Sequence, residues 1–202
     1  MATLAKKKKA TQILEKSFYF KNDDEIKLKY CSDQINYNLG SFNKTFTILK
    51  SLLKKKEDPK VLNLLGLCTL ILGKIKESIS YFVKSINCSS KIDEILIFAP
   101  EISSSYYQLA KMNYEFKSDQ INRIKELFSQ KIDYTCRALL GFSLSKIYET
   151  QKEFAESSDY LKKSNKIIFR NIIIPRGWTF EDEEILFVNL KKIYLDIKNS
   201  NL

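Results

Sequence analysis

The sequence contains no histidine, only five glycines and only three prolines. Without histidine the chain lacks the commonest metal ligand and the commonest general base near neutral pH. Five glycines leave little material for phosphate loops or tight hairpins. No Gly-x-Gly-x-x-Gly or Walker-type loop is present, and no serine has a histidine to activate it. Cys31, Cys68, Cys88 and Cys136 lie too far apart for a Cys-x-x-Cys pair, so no zinc site is expected. The acidic runs Asp23-Asp24-Glu25 and Glu181-Asp182-Glu183-Glu184 read as helix first turns that offset the helix dipole, not as metal cages. No cofactor is implied, and catalysis on this chain is not expected.

Long apolar runs are missing too. The most apolar stretch, Val61–Leu72, is too short to span a bilayer. Lys6–Lys9 is followed by Ala-Thr-Gln-Ile-Leu-Glu-Lys rather than by the apolar centre of a secretory signal. Four free thiols in helical segments suit a reducing compartment. The expectation is a cytoplasmic protein without membrane contact.

What remains is a chain of 202 residues, 44% apolar and 29% charged, enough to pack one domain or one run of small repeats. Lys and Arg total 34 against 24 Asp and Glu, a net charge of +10. Only Arg123, Arg137, Arg170 and Arg176 are arginines. Arginine does the bidentate and stacking work of phosphate and base recognition, whereas lysine is a diffuse point charge. Lys, Ile and Asn share A/T-rich codons, so much of the charge reads as compositional. A basic helical-repeat nucleic-acid binder is therefore the disfavoured alternative, and Lys6–Lys9 and Lys54–Lys56 read as solvated surface.

Helical periodicity runs through almost the whole chain, and strand-like alternation is hard to find. Helices are expected over Leu4–Phe18, from Asn22–Glu25 to about Leu39, over Asn43–Lys56, Lys60–Leu72 and Lys76–Asn87. Pro59 suits a helix first turn, and Gly40 and Gly73 suit turns. Ile92–Phe98 is apolar and ambiguous. Further helices are expected from Pro100 to about Phe116 and over Asp119–Gln130, Tyr134–Thr150 and Glu153–Arg170. Asn171–Gly177 reads as an apolar linker. Thr179 with Asp182 resembles a capping box before a last amphipathic helix, Phe180–Asn199, with Trp178 as a hydrophobic staple beside it.

Self-similarity is the informative feature. The run Leu65-Gly66-x-x-Thr69-x-x-x-Gly73-x-x-x-x-Ser78-x-x-x-Phe82-x-x-Ser85 resembles the tetratricopeptide pattern. In that reading Gly66 and Ser78 lie where two helices approach, Phe82 fills the groove between them, Gly73 makes the turn, and Ser85 admits the next helix. Gly40, 33 residues before Gly73, marks a preceding unit. Leu109-Ala110 takes the Leu-Gly place in a third unit, and Leu144-Ser145, Tyr148, Phe154, Ser157, Leu161 and Ser164 take the places of a fourth. The resemblance implies a right-handed, all-α solenoid of antiparallel helix hairpins. Residues 1–22 would form a basic N-terminal helix, 23–58, 59–90, 100–131 and 134–170 the repeats, and 171–202 a linker and C-terminal capping helix.

Arrays of this kind present a concave face from the first helix of each unit. Candidate binding residues are Lys60, Asn63, Leu67, Tyr107, Lys111, Tyr114, Phe142, Lys146 and Glu149. Mixed Asn, Lys and Tyr suit a peptide backbone and acidic side chains, so the expected partner is a protein or peptide.

The stretch Gly141–Arg170 is also similar to the last repeat of bacterial tetratricopeptide–sulfotransferase proteins, with Ser164, Asn165, Ile167, Ile168 and Arg170 in the matching places. Ala99-Pro100-Glu101 adds to that likeness. In those proteins a Pro-Arg-Ser-Gly-Thr-type loop cradles the donor's phosphate. Pro175-Arg176-Gly177 lacks the strand and helix start that such a loop needs. The resemblance thus implies either a free-standing interaction module or the recognition part of a truncated or split sulfotransferase.

Overall fold

The computed structural model describes residues 2–21, 23–88 and 92–177. Those residues are helical with no strand among them. The elements are α1 Ala2–Lys21, α2 Asp24–Asn36, α3 Phe42–Lys55, α4 Pro59–Ile71, α5 Ile75–Asn87, α6 Ile92–Ile97, α7 Ala99–Lys111, α8 Ser118–Ser129, α9 Tyr134–Thr150 and α10 Phe154–Ile168. The expected final helix over Phe180–Asn199, the Thr179–Asp182 capping box and Trp178 lie outside the described residues.

The starts of α2, α4 and α9 follow from short polar side chains. Asp23 accepts hydrogen bonds from the Glu25 and Ile26 amides, Asp58 from Lys60 and Asp133 from Thr135. Each cap satisfies amides that the first helical turn leaves unpaired. Pro59 and Pro100 stand at first-turn positions, where a missing N–H costs nothing.

The ends of α2, α4, α7 and α9 share one device. Asn38, Gly73, Asn113 and Lys152 all take positive φ, at 50°, 74°, 53° and 64°. In each case the following amide (Leu39, Lys74, Tyr114, Glu153) donates to the carbonyl five residues back, at 2.8–3.0 Å. This is the Schellman closure of a helix C-terminus. It recurs at intervals of 35, 40 and 39 residues. Glycine does this at one of the four sites. Gly40 is also left-handed, at 94°, but the closure of α2 is made at Asn38.

Helices α2, α4, α7 and α9 each lie against the next in a row, while α3, α5 and α8 fill behind, each touching the row helix that follows it. Pairs α4–α5 and α9–α10 are the most closely packed. Two apolar clusters result. One gathers Tyr30, Cys31, Leu49, Leu52, Leu65 and Cys68 around α2–α4. The other gathers Phe82, Ile86, Tyr106, Leu109, Ile124 and Leu144 from α5 through α9.

Close approach is bought by small residues. A Cβ on Gly66 would lie 2.5 Å from the buried Phe82 ring. Ser78 donates to the Gly66 carbonyl at 2.8 Å, and Leu65 is fully buried beside it. Between α9 and α10 the same job falls to Gly141, where a Cβ would meet Ser164 and Phe128, and to the Ser145–Ser157 hydroxyl pair at 3.2 Å. Ser164 is fully buried and donates to the Tyr160 carbonyl.

Several expectations are corrected. The helix expected to reach Phe116 stops at Lys111, because Asn113 turns left-handed. Phe116 instead packs on Tyr106, with ring centroids 6.1 Å apart, in the cluster that also holds Ile124 and Leu127 of α8. The ambiguous Ile92–Phe98 stretch contains helix α6, which buries Ile95 and exposes Ile97. Leu161, expected inside, is 44% exposed; Tyr160 turns inward and stacks on Tyr148 at 5.8 Å. The expected linker after Arg170 continues as a π-helical turn, Phe169–Ile173, and a 3-10 turn, Ile174–Arg176, ending at left-handed Gly177.

Candidate functional site

Three consecutive members of the helix row share a groove of about 380 Å³. From α2 it takes Glu25, Lys29, Ser32 and Asn36, spaced as one helical face. From α4 it takes Lys60, Asn63, Leu64 and Leu67, and from α7 Pro100, Glu101 and Ser104. Lys60, Asn63 and Leu67 were expected on this face; the α2 wall and Glu101 were not.

Asn63 has a different task from the one expected. It is buried, and its amide group donates to the Glu101 carbonyl at 3.1 Å and to Ser105 Oγ at 2.9 Å. Ser105 donates to Ser85, and Ser85 to the Pro59 carbonyl. The chain of donors ties α4, α5 and α7 together beneath the groove. Its amide hydrogens are spent on the fold, so Asn63 shapes the floor rather than offering donors to a ligand.

Glu101 is the chemically unusual wall residue. It makes no ion pair with a described residue. Burial pushes its carboxyl above the ordinary 4.5, against the pull of its own backbone amide and of Lys60. Lys29, by contrast, is engaged with Asp33 at 2.9 Å.

Further along the row, Tyr107 on α7 faces Phe142 on α9, ring centroids 6.5 Å apart, and the Lys111 ammonium stands 5.5 Å over the Tyr107 ring. Lys146 pairs with Glu149 at 2.8 Å. These five candidates continue the row beyond the groove. Tyr114 does not: it follows the end of α7 and packs edge-on against Phe116 at 5.0 Å.

The thiols are structural. Burial pushes Cys31 up to about 12 and Cys68 up to about 11, and Cys88 and Cys136 are also raised. All four are unbridged. Among the described residues no three His, Cys, Asp or Glu side chains converge as a metal site, and no helix is long and apolar enough to cross a membrane. No protein-family model, curated protein or solved structure matches the chain.

Proposed function

We propose that the chain is a non-catalytic interaction module, a tetratricopeptide-like α-solenoid whose groove across α2, α4 and α7 takes an extended peptide segment of a protein partner. The groove itself carries the reading. It is built from the helices that would line the concave face of such an array, and it mixes hydroxyl, amide, carboxylate and ammonium groups with the apolar edge of Leu64 and Leu67. An extended peptide needs donors and acceptors for its backbone along a shallow apolar track. The four matching helix closures support a repeating hairpin architecture, and the C-terminal capping helix belongs to the same reading. Glu101, partly desolvated and without an ion pair to a described residue, suits a peptide N–H or a basic side chain.

A peptide array probed with the full chain tests this. Ser104→Trp would fill the groove, and Ser158→Trp on exposed α10 is the control. Peptides retained by wild type and control but lost with Ser104→Trp are the expected result. Equal binding by all three proteins, or no peptide bound by wild type, would sink the proposal.

A further inference from the structure

A second hollow lies between α8, α9 and α10 and shares no lining residue with the peptide groove. It is an open hollow of about 580 Å³ lined by Phe128, Ser129, Arg137, Lys166, Ile167 and Arg170, together with Lys163 and Asn171. Among the described residues no carboxylate lines it. Lys163 is engaged with Asp159 at 2.6 Å, but Arg137, Lys166 and Arg170 make no ion pair with a described residue. The Arg137 Nε is buried with no acceptor among the described residues. A buried guanidinium N–H without a partner is costly, and each such group calls for an explanation. Two of the chain's four arginines meet here, although lysine outnumbers arginine heavily. We infer that this hollow binds a phosphoryl group carried on a small aromatic or apolar body.

The chemistry divides between the two kinds of wall. Arg137 and Arg170 present planar forks that match phosphoryl oxygens, and Lys166 adds a point charge from the same helical face as Arg170. Arg170 sits in the π-helical turn Phe169–Ile173, a distortion that is frequent at functional sites. Asn171 steadies that turn by donating to the Ile167 carbonyl at 2.8 Å. The volume exceeds what a bare phosphate fills and falls in the range of small-molecule sites. Phe128 and Ile167 supply the apolar remainder. The Phe128 ring is fixed in advance: it meets Tyr160 edge-on at 5.6 Å and leans over Gly141, where no Cβ obstructs it.

Titration calorimetry on the full chain at low salt tests the assignment, with phenyl phosphate, inorganic phosphate and phenol as probes. Phenyl phosphate is expected to bind, inorganic phosphate several-fold more weakly, and phenol not at all. Arg137→Gln should weaken phenyl phosphate about tenfold, as loss of one charge-assisted contact does. The double variant Lys166→Gln/Arg170→Gln, outside the core, removes two such contacts, should weaken phenyl phosphate further still, and decides the matter if Arg137→Gln fails to fold. No heat with phenyl phosphate, or undiminished binding in the variants, would overturn the inference.

Discussion

Gly66 and Phe82 form a lock in which the missing Cβ of one makes room for the ring of the other. The ring atoms lie 2.5–2.8 Å from where that Cβ would stand, and Phe82 is fully buried.

Two opposing effects bear on Gly66→Ala. Helix propensity favours alanine by about 1 kcal/mol. Overpacking against a ring with nowhere to move costs about 1–3 kcal/mol, so the single substitution should destabilise. Phe82→Ala should cost about 3–5 kcal/mol through the cavity it leaves. In the Phe82→Ala background, Gly66→Ala should turn stabilising, because only the propensity gain remains. Urea midpoints of the four proteins check this. A Gly66→Ala effect of the same sign in both backgrounds would break the argued contact.

The donor chain beneath the groove gives a second cycle. Asn63→Ala removes two hydrogen bonds beneath the groove, one to the Glu101 carbonyl and one to Ser105 Oγ, at about 1–3 kcal/mol. Ser105→Ala also takes the donor from Ser85. The double variant should cost less than the sum, with a coupling of about 0.5–3 kcal/mol. Denaturant unfolding of the set measures it, and additive costs would mean that the hydroxyls act separately.

The all-helical class was legible because apolar residues recur at helical spacing and glycine and proline are scarce. Boundaries were legible where a residue type dictates them: Pro59 at a first turn, Gly73 at a left-handed end, Asp23 at a cap. Asn113 and Lys152 adopt the same left-handed geometry, held by the hydrogen bond from the next amide; asparagine tolerates that geometry and could have marked the end of α7, whereas nothing in lysine announces the end of α9. Missing the Asn113 turn carried Tyr114 onto a helical face it does not occupy. The α2 wall of the groove was illegible for another reason. Glu25, Lys29, Ser32 and Asn36 read as ordinary solvated positions until α4 and α7 stand beside them. Asn63 looked like a ligand donor because spacing locates a face but does not reveal which polar group the next helix will use.

The thiols should be slow. With Cys31 raised to about 12 and Cys68 to about 11, almost no thiolate exists at neutral pH, and both side chains are buried. In native protein an aromatic disulfide reagent at pH 8 should label Cys88 first, the least buried of the four, and reach Cys31 and Cys68 only on unfolding. Mass mapping of the labelled sites tests the order. Early modification of Cys31 would contradict its place in the core.

Glu101 predicts a pH dependence with a definite sign. Its folded-state carboxyl titrates above the ordinary 4.5, so the native state holds this proton more tightly than the unfolded chain does. The stabilisation from protonation is full below the ordinary value and is lost as pH rises through the raised folded value. At neutral pH the charged carboxylate therefore costs stability, because burial disfavours it more than Lys60 and the backbone amide repay. Glu101→Gln removes the charge and keeps the shape. It should raise the melting midpoint at pH 7 by a degree or two, and this gain should shrink to nothing by pH 3.5, where wild-type Glu101 is itself neutral. Calorimetric melts of both proteins at the two pH values check it. A stabilisation that persists unchanged at low pH would trace to packing instead, and a destabilisation at pH 7 would show that Glu101 draws more from Lys60 than burial takes away. The same partly desolvated charge is what a bound peptide would relieve, so a peptide carrying a basic residue opposite Glu101 should lose affinity in Glu101→Gln while the protein itself becomes more stable.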